Sequence, residues 1–494
     1  MQTLLKSGLV VGSLILAGRL AGFGREWLIA MRSGAGEVSD IAIVLLTFPD
    51  LMVNLLLGGG IAAALVPAFK RLGKQQADVL FLQVGRLAGL FFIILALGFA
   101  ALAPWVLGLL APGLPDQALA EQANAFRIVT LALPLAALSG ILVARLQSLE
   151  RFALSASGTL AFNGAIILSL LVFGQVGLVN AVLIGVLAGS LFRLALQVWG
   201  LMPGWSLPRF HPNLLNRDLL RQFLASFTFL SILVVLPPLA RATASLGDAG
   251  ALSLFNYAYK LVELPMGVAI GAIVTVLLPR LSGDLVESGP ESARVHLAAG
   301  IRTTIWVTLA IAVPAIFFAD VLVQLAFFKA AFKPEQIALL SGMVAIGFFF
   351  LPFQGLLNIY GSTFSAIGQS RDLIYCAAGM LITILVLAPV GQRVLGLTGV
   401  MLAYGSVYFA GTVWLSLKLL KALGSSVWFS AMENAVLGLF VPTALAVIVA
   451  LIGDNIATSL ADRFLWGCAT FLVYAVSSIL LDRSFRKRLT ELTK

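Results

Sequence analysis

Histidine and cysteine are almost missing from this sequence, with two of each among 494 residues. Cys376 and Cys468 lie in separate apolar runs, which argues against a disulfide framework and a thiolate metal site. His211 and His296 stand far apart in polar connections. The sequence therefore offers no metal-ligand cluster, no nucleophile–base spacing and no P-loop. A membrane-embedded transferase would need aspartate-rich loops to hold a metal diphosphate, and the loops have none. Charge is scarce as well, at 11% of residues. These absences argue against an enzyme and leave no room for a soluble domain, because the polar connections are short.

What remains is apolar: 60% of residues are hydrophobic and the mean hydropathy is +1.03, far above the soluble range. A helix needs roughly 20 apolar residues to cross a bilayer. By that measure the sequence predicts an all-α polytopic membrane protein with about 14 transmembrane helices. They fall near 4–32, 38–70, 79–110, 122–149, 153–173, 176–201, 217–246, 249–281, 295–328, 335–367, 372–390, 395–420, 429–452 and 459–482. The first run carries Arg19 and continues past it, so no cleavable leader is expected.

A net charge of +10 would suggest nucleic acid in a soluble chain. Here the lysines and arginines alternate with the spans: 20 of the 32 lie on the side shared by both termini and five on the other. The positive-inside rule then makes both termini cytoplasmic. No nucleic-acid partner is expected, only membrane lipids and whatever the protein carries.

The sequence also repeats itself. Phe48-Pro49, Pro67, Pro134 and Arg151 have counterparts at Leu264-Pro265, Pro279, Pro352 and Arg371, offset by 216, 212, 218 and 220 residues. Six spans separate each pair, so the halves share one orientation. Parallel six-span repeats form transporters that alternate access to a site between the repeats. The expected organisation is a six-helix lobe over 1–205, a second over 206–425, and two extra helices over 426–494.

Charges at bilayer depth are costly and mark function by default. The first span carries Arg19, Arg25 and Glu26 among the glycines Gly18, Gly22 and Gly24, which are expected to loosen the turn. In the second, Asp40, Thr47, Asp50 and Asn54 fall within an arc of about 80°. In the eighth, Asn256, Lys260 and Glu263 share a face. The simplest assembly is a cavity with Arg19, Arg25 and Lys260 as substrate-binding cations. Glu26, Asp40 and Glu263 would be its balancing or coupling acids, and Thr47, Asn54 and Asn256 its polar lining. Arginine suits bidentate binding of phosphate and lysine adds a point charge, so a diphosphate would fit. Blander readings stay open. Arg25 could simply pair with Glu26, Lys260 with Glu263, and Asp50 could be a turn residue beside Pro49. Arg86, Arg127, Arg193 and Arg241 lie nearer span ends and are expected to snorkel.

Three segments resemble one family. They are Gly22-Phe23-Gly24-Arg25-Glu26, then Ser33 to Asp40 with Phe48-Pro49-Asp50-Leu51, and Asn256 to Pro265. They look like the signatures of the MurJ (MviN) family in the MOP superfamily, whose members are lipid II flippases. The resemblance implies a bacterial inner-membrane transporter of an undecaprenyl-diphosphate-linked saccharide, working in peptidoglycan biosynthesis. It implies no cofactor, drive by membrane potential or an ion gradient, and the cell-wall synthesis machinery as a partner. The family usually has arginine where Lys260 stands, aspartate at Tyr259 and lysine at Thr47. These departures leave open a flippase for another lipid-linked glycan, and a cation-coupled multidrug antiporter is a further alternative.

Overall fold

The computed structural model describes residues 2–57, 60–175, 177–202, 214, 232–287, 290–328, 330–366, 370–423 and 425–481. Every element among them is helical. The start of the expected seventh span, the connection holding His211, Gly58, Gly59 and the basic residues after 481 lie outside the described residues, as does the expected lobe boundary at 205/206. Among the described residues, ten segments are long and apolar enough to cross a membrane.

The contacts divide the chain into two compact units. The first comprises Met1–Asn256 with Lys329–Phe332. It contains α1 (Gln2–Ser33), α2 (Glu37–Leu57), α3 (Gly60–Arg71), α4 (Lys74–Ala101), α5 (Ala103–Leu110), α6 (Asp116–Thr130), α7 (Ala132–Ser148), α8 (Phe152–Phe173), α9 (Leu178–Leu201) and α10 (Ile232–Ala244). Without water to expel, membrane helices associate through close packing, so small residues mark their interfaces. Gly185 and Gly189 do this for α8 and α9: a Cβ there would come within 2.8 Å of the Ile166 backbone and 2.7 Å of the Phe162 carbonyl oxygen. A second cluster joins α3, α4 and α7 through Leu65, Phe69, Leu80 and Ile141.

The second unit comprises Tyr257–Phe328 and Lys333–Lys494. It holds most of α11 (Ala251–Glu287), then α12 (Pro290–Phe317), α13 (Ala319–Ala326), α14 (Pro334–Phe349), α15 (Leu351–Ala366), α16 (Ser370–Leu423), α17 (Ser425–Ile456) and α18 (Leu460–Leu481). Tyr474 packs α18 against Ala310 and Val313 of α12 and Ala446 of α17. The run α16 is two helices joined at Gly396, whose φ of +61° and ψ of −144° no helix contains. That break falls just inside the expected span 395–420 and divides it from the span expected over 372–390.

The repeat has an echo in where helices break. Interruptions fall at Leu102 and Phe318, 216 residues apart, and at Leu131 and Phe350, 219 apart. Pro134 and Pro352 each sit in the first turn after the second break, where a missing N–H leaves no helical bond unmade.

Candidate functional site

In the first unit, Arg25 and Glu26 of α1 join one largely buried network. α1 is an unbroken helix through its glycines. They do not loosen a turn as expected. Instead they form a smooth face against α8, where a Cβ on Gly18 would stand 3.3 Å from Thr159 and one on Gly22 would stand 3.3 Å from the Asn163 amide. That close approach puts Asn163 beside Arg25. Asn163 donates to the Gly18 carbonyl oxygen (3.1 Å) and accepts from Arg25 Nη1 (3.2 Å). Arg25 also donates in a fork to both oxygens of Asp50 (3.2 and 2.6 Å) and to Glu26 Oε1 (2.9 Å). The other Glu26 oxygen accepts from the Asn256 amide at 2.9 Å. Arg25 and Glu26 are each 2% exposed, whereas Asp50 keeps 23%.

Asp40, on α2, has a different neighbourhood. Its two oxygens accept from the backbone N–H groups of Gly250 and Ser253, both at 2.7 Å. These donors open α11, so the carboxylate satisfies N–H groups that a helix start leaves bare. Thr47 is buried too, donating to the Ile43 carbonyl oxygen and accepting from Arg241 Nη1 at 3.0 Å. The polar stripe of α2 is thus divided: Asp40 and Thr47 point into the unit, Asp50 is half-buried and Asn54 is exposed. Arg19 is exposed on α1.

In the second unit, Lys260 donates to Glu263 Oε2 at 2.8 Å, and its ammonium lies 5.3 Å from the Tyr259 ring centre. Glu263 lines a recess with Tyr259, Gln354, Tyr404 and Tyr408. The hydroxyls of Tyr404 and Tyr408 are 2.9 Å apart, and the Tyr259 ring meets Tyr404 edge-on. The expected residues thus fall in two groups. Arg25, Glu26 and Asn256 come together, as do Lys260 and Glu263, while Asp40 and Thr47 have separate partners.

Several residues escape the sequence reading. Arg193 and Arg241, expected to snorkel, are 3% and 7% exposed and lie within the protein, whereas Arg86 and Arg127 are exposed as expected. Arg145 is held by Asp78 at 2.6 Å with both buried. Asn163 carried no signal beyond being a lone amide in an apolar run. Among the described residues, no group of histidine, cysteine or acidic side chains is placed to hold a metal ion.

The family model described as Lipid II flippase MurJ matches residues 29–477. A probable lipid II flippase MurJ from Rhizobium tropici is 28% identical over 371 residues, covering 70% of this chain and 67% of that protein. Lipid II flippase MurJ from Burkholderia cenocepacia is 27% identical over 426 residues, covering 82% and 81%. Among solved structures, a lipid II flippase MurJ in an inward closed conformation superposes with a TM-score of 0.80 at 18% identity, covering 96% of this chain and 99% of that one. An inward-facing MATE family multidrug transporter of the MOP superfamily gives 0.65 at 13% identity, covering 84% and 94%.

Proposed function

The chain belongs to the MurJ lipid II flippase family, and on that premise we propose that it carries lipid II from the inner to the outer leaflet of the bacterial inner membrane by alternating access. The observation that carries this reading is the family match over residues 29–477, which embraces both units and the α2 and α11 signature segments. The chain is a multi-pass membrane transporter and not an enzyme.

The headgroup of such a substrate is a diphosphate, and the chemistry it needs is a set of cations that can exchange partners. Arg19, Arg25 and Lys260 are the proposed contacts. Arg19 is exposed. Arg25 would engage by giving up Asp50, its one carboxylate partner with appreciable access to water. Lys260 would leave Glu263. Glu26 and Asp40 would hold the architecture around these cations, Glu263 would balance the charge, and Thr47, Asn54 and Asn256 would supply polar lining. The organisation is two six-helix lobes, 1–205 and 206–425, with 426–494 as an additional helix pair, both termini being cytoplasmic. No cofactor takes part; the drive is the membrane potential or an ion gradient. The cell-wall synthesis machinery would receive the product.

The test is replacement of a conditionally depleted native lipid II flippase. The chain should restore growth and the outward exposure of lipid II. A chain that reaches the membrane at native abundance yet restores neither would overturn the assignment.

A further inference from the structure

We infer that Glu263 and the tyrosines around it form a monovalent-cation site whose filling releases Lys260 to bind the substrate's diphosphate. The inference rests on the reading of Lys260 as a headgroup contact.

The geometry places one ammonium between two claimants. Lys260 is bound to Glu263 at 2.8 Å, with side chains 20% and 32% exposed, so the pair is neither sealed in nor fully solvated. Lys260 cannot neutralise a diphosphate and Glu263 together. When the diphosphate takes the ammonium, the carboxylate is left beside new negative charge in partly apolar surroundings, which is unfavourable. A second cation removes that penalty. Glu263, besides the ammonium of Lys260, shares its recess with Tyr259 of its own helix, Tyr404 and Tyr408 of α16 and Gln354 of α15. Apart from the ammonium these offer oxygen ligands, the set a hard cation prefers. The hydroxyl pair at 2.9 Å also provides a hydrogen-bonded chain next to the carboxylate for a proton. Sodium and proton share this chemistry, namely neutralisation of a carboxylate among oxygen donors. Linkage makes the effect reciprocal: the cation raises affinity for the anion, and the anion raises affinity for the cation.

The experiment uses the purified full chain in nanodiscs of uncharged lipid, with inorganic pyrophosphate as probe and calorimetry as readout. One series replaces choline chloride by sodium chloride at constant ionic strength. A second lowers the pH through neutrality in choline alone. The dissociation constant for pyrophosphate should fall about two- to fivefold along one axis, the size expected for freeing a half-exposed ion pair. The axis that moves identifies the cation. Glu263→Gln should bind pyrophosphate as tightly as the cation-filled native protein, show no sodium response, and on the pH axis show only the change that comes from protonation of pyrophosphate itself. Native affinity that matches that of Glu263→Gln along both axes, or a sodium response that persists in Glu263→Gln, overturns the proposal. Lys260→Gln separates the two layers. It should lose pyrophosphate binding yet keep a cation-dependent rise in melting temperature, because a ligand of the folded state stabilises it. Native pyrophosphate affinity in Lys260→Gln would remove the headgroup role of Lys260, leaving the cation site to be judged by the melting shift alone.

Discussion

Replacing Arg25 by alanine tests whether α1 is held by charge. The change removes four hydrogen bonds: two to Asp50, one to Glu26 and one to Asn163. The larger effect is what stays behind. Among the described residues Glu26 then keeps the Asn256 amide alone and is 2% exposed, so no described counter-ion is left beside its charge. Breaking a buried pair by deleting one partner costs about 3–5 kcal/mol. Asp50, with its exposure to solvent, adds less. The purified variant should melt several degrees lower in detergent and accumulate poorly in the membrane. Arg25→Lys should recover part of the loss, because lysine restores the charge but not the fork to Asp50. Arg25→Ala combined with Glu26→Gln should recover most of it, since an amide needs no counter-charge. The double variant should still fail to expose lipid II, because the cation is gone. A melting point for Arg25→Ala equal to that of the native protein would refute the reasoning, as would a double variant no more stable than the single one.

Other outcomes follow from particular contacts. Arg145→Ala strands the buried Asp78 and should cost about 3–5 kcal/mol, read as a lower melting temperature that Asp78→Asn in the same chain partly restores. Asp40→Ala removes the acceptor for two N–H groups at the start of α11 and should cost about 1–2 kcal/mol, while transport per folded molecule holds. Gly250→Ala should reduce abundance sharply, because its φ is +94° and the added Cβ would come within 2.6 Å of the Ala35 carbonyl. Lys260→Arg should support growth of a flippase-depleted strain as well as the native chain, since it keeps the charge beside Glu263.

The helices were legible because a bilayer allows few answers. Every backbone group must be bonded within the segment, so a long apolar run reads directly as a helix. Charged residues on α1 and the signature around Lys260 could be singled out for the same reason, since charge in an apolar run stands out. Their partners could not. Asn163 lies 138 residues from Arg25, and Arg241 lies 194 residues from Thr47. A lone asparagine in an apolar run says nothing of which helix it faces. Arg193 and Arg241 sit near span ends, where snorkelling is the usual outcome, and only tertiary packing reveals that neighbouring helices cover them. Asp40 was legible only in part: its place on a polar stripe marked it, but its two backbone donors lie more than 200 residues later in the chain.

The Arg25 network has a consequence for how the protein is made. α1 reaches the membrane ahead of α2, α8 and α11, so Asp50, Asn163 and Asn256 are all synthesised after Arg25. Asn163 emerges 138 residues behind Arg25, a delay on the order of ten seconds at about 5–20 residues per second. Through that interval the guanidinium has Glu26 beside it but neither the amide of α8 nor the full set of acceptors that later surrounds it. α1 is therefore expected to reach its final depth only as these partners arrive. Until then, shelter at the insertion machinery or a position near the lipid headgroups would limit the cost of the charge. Nascent chains stalled before Asn163 should leave α1 extractable by alkali, and chains stalled well beyond it should not.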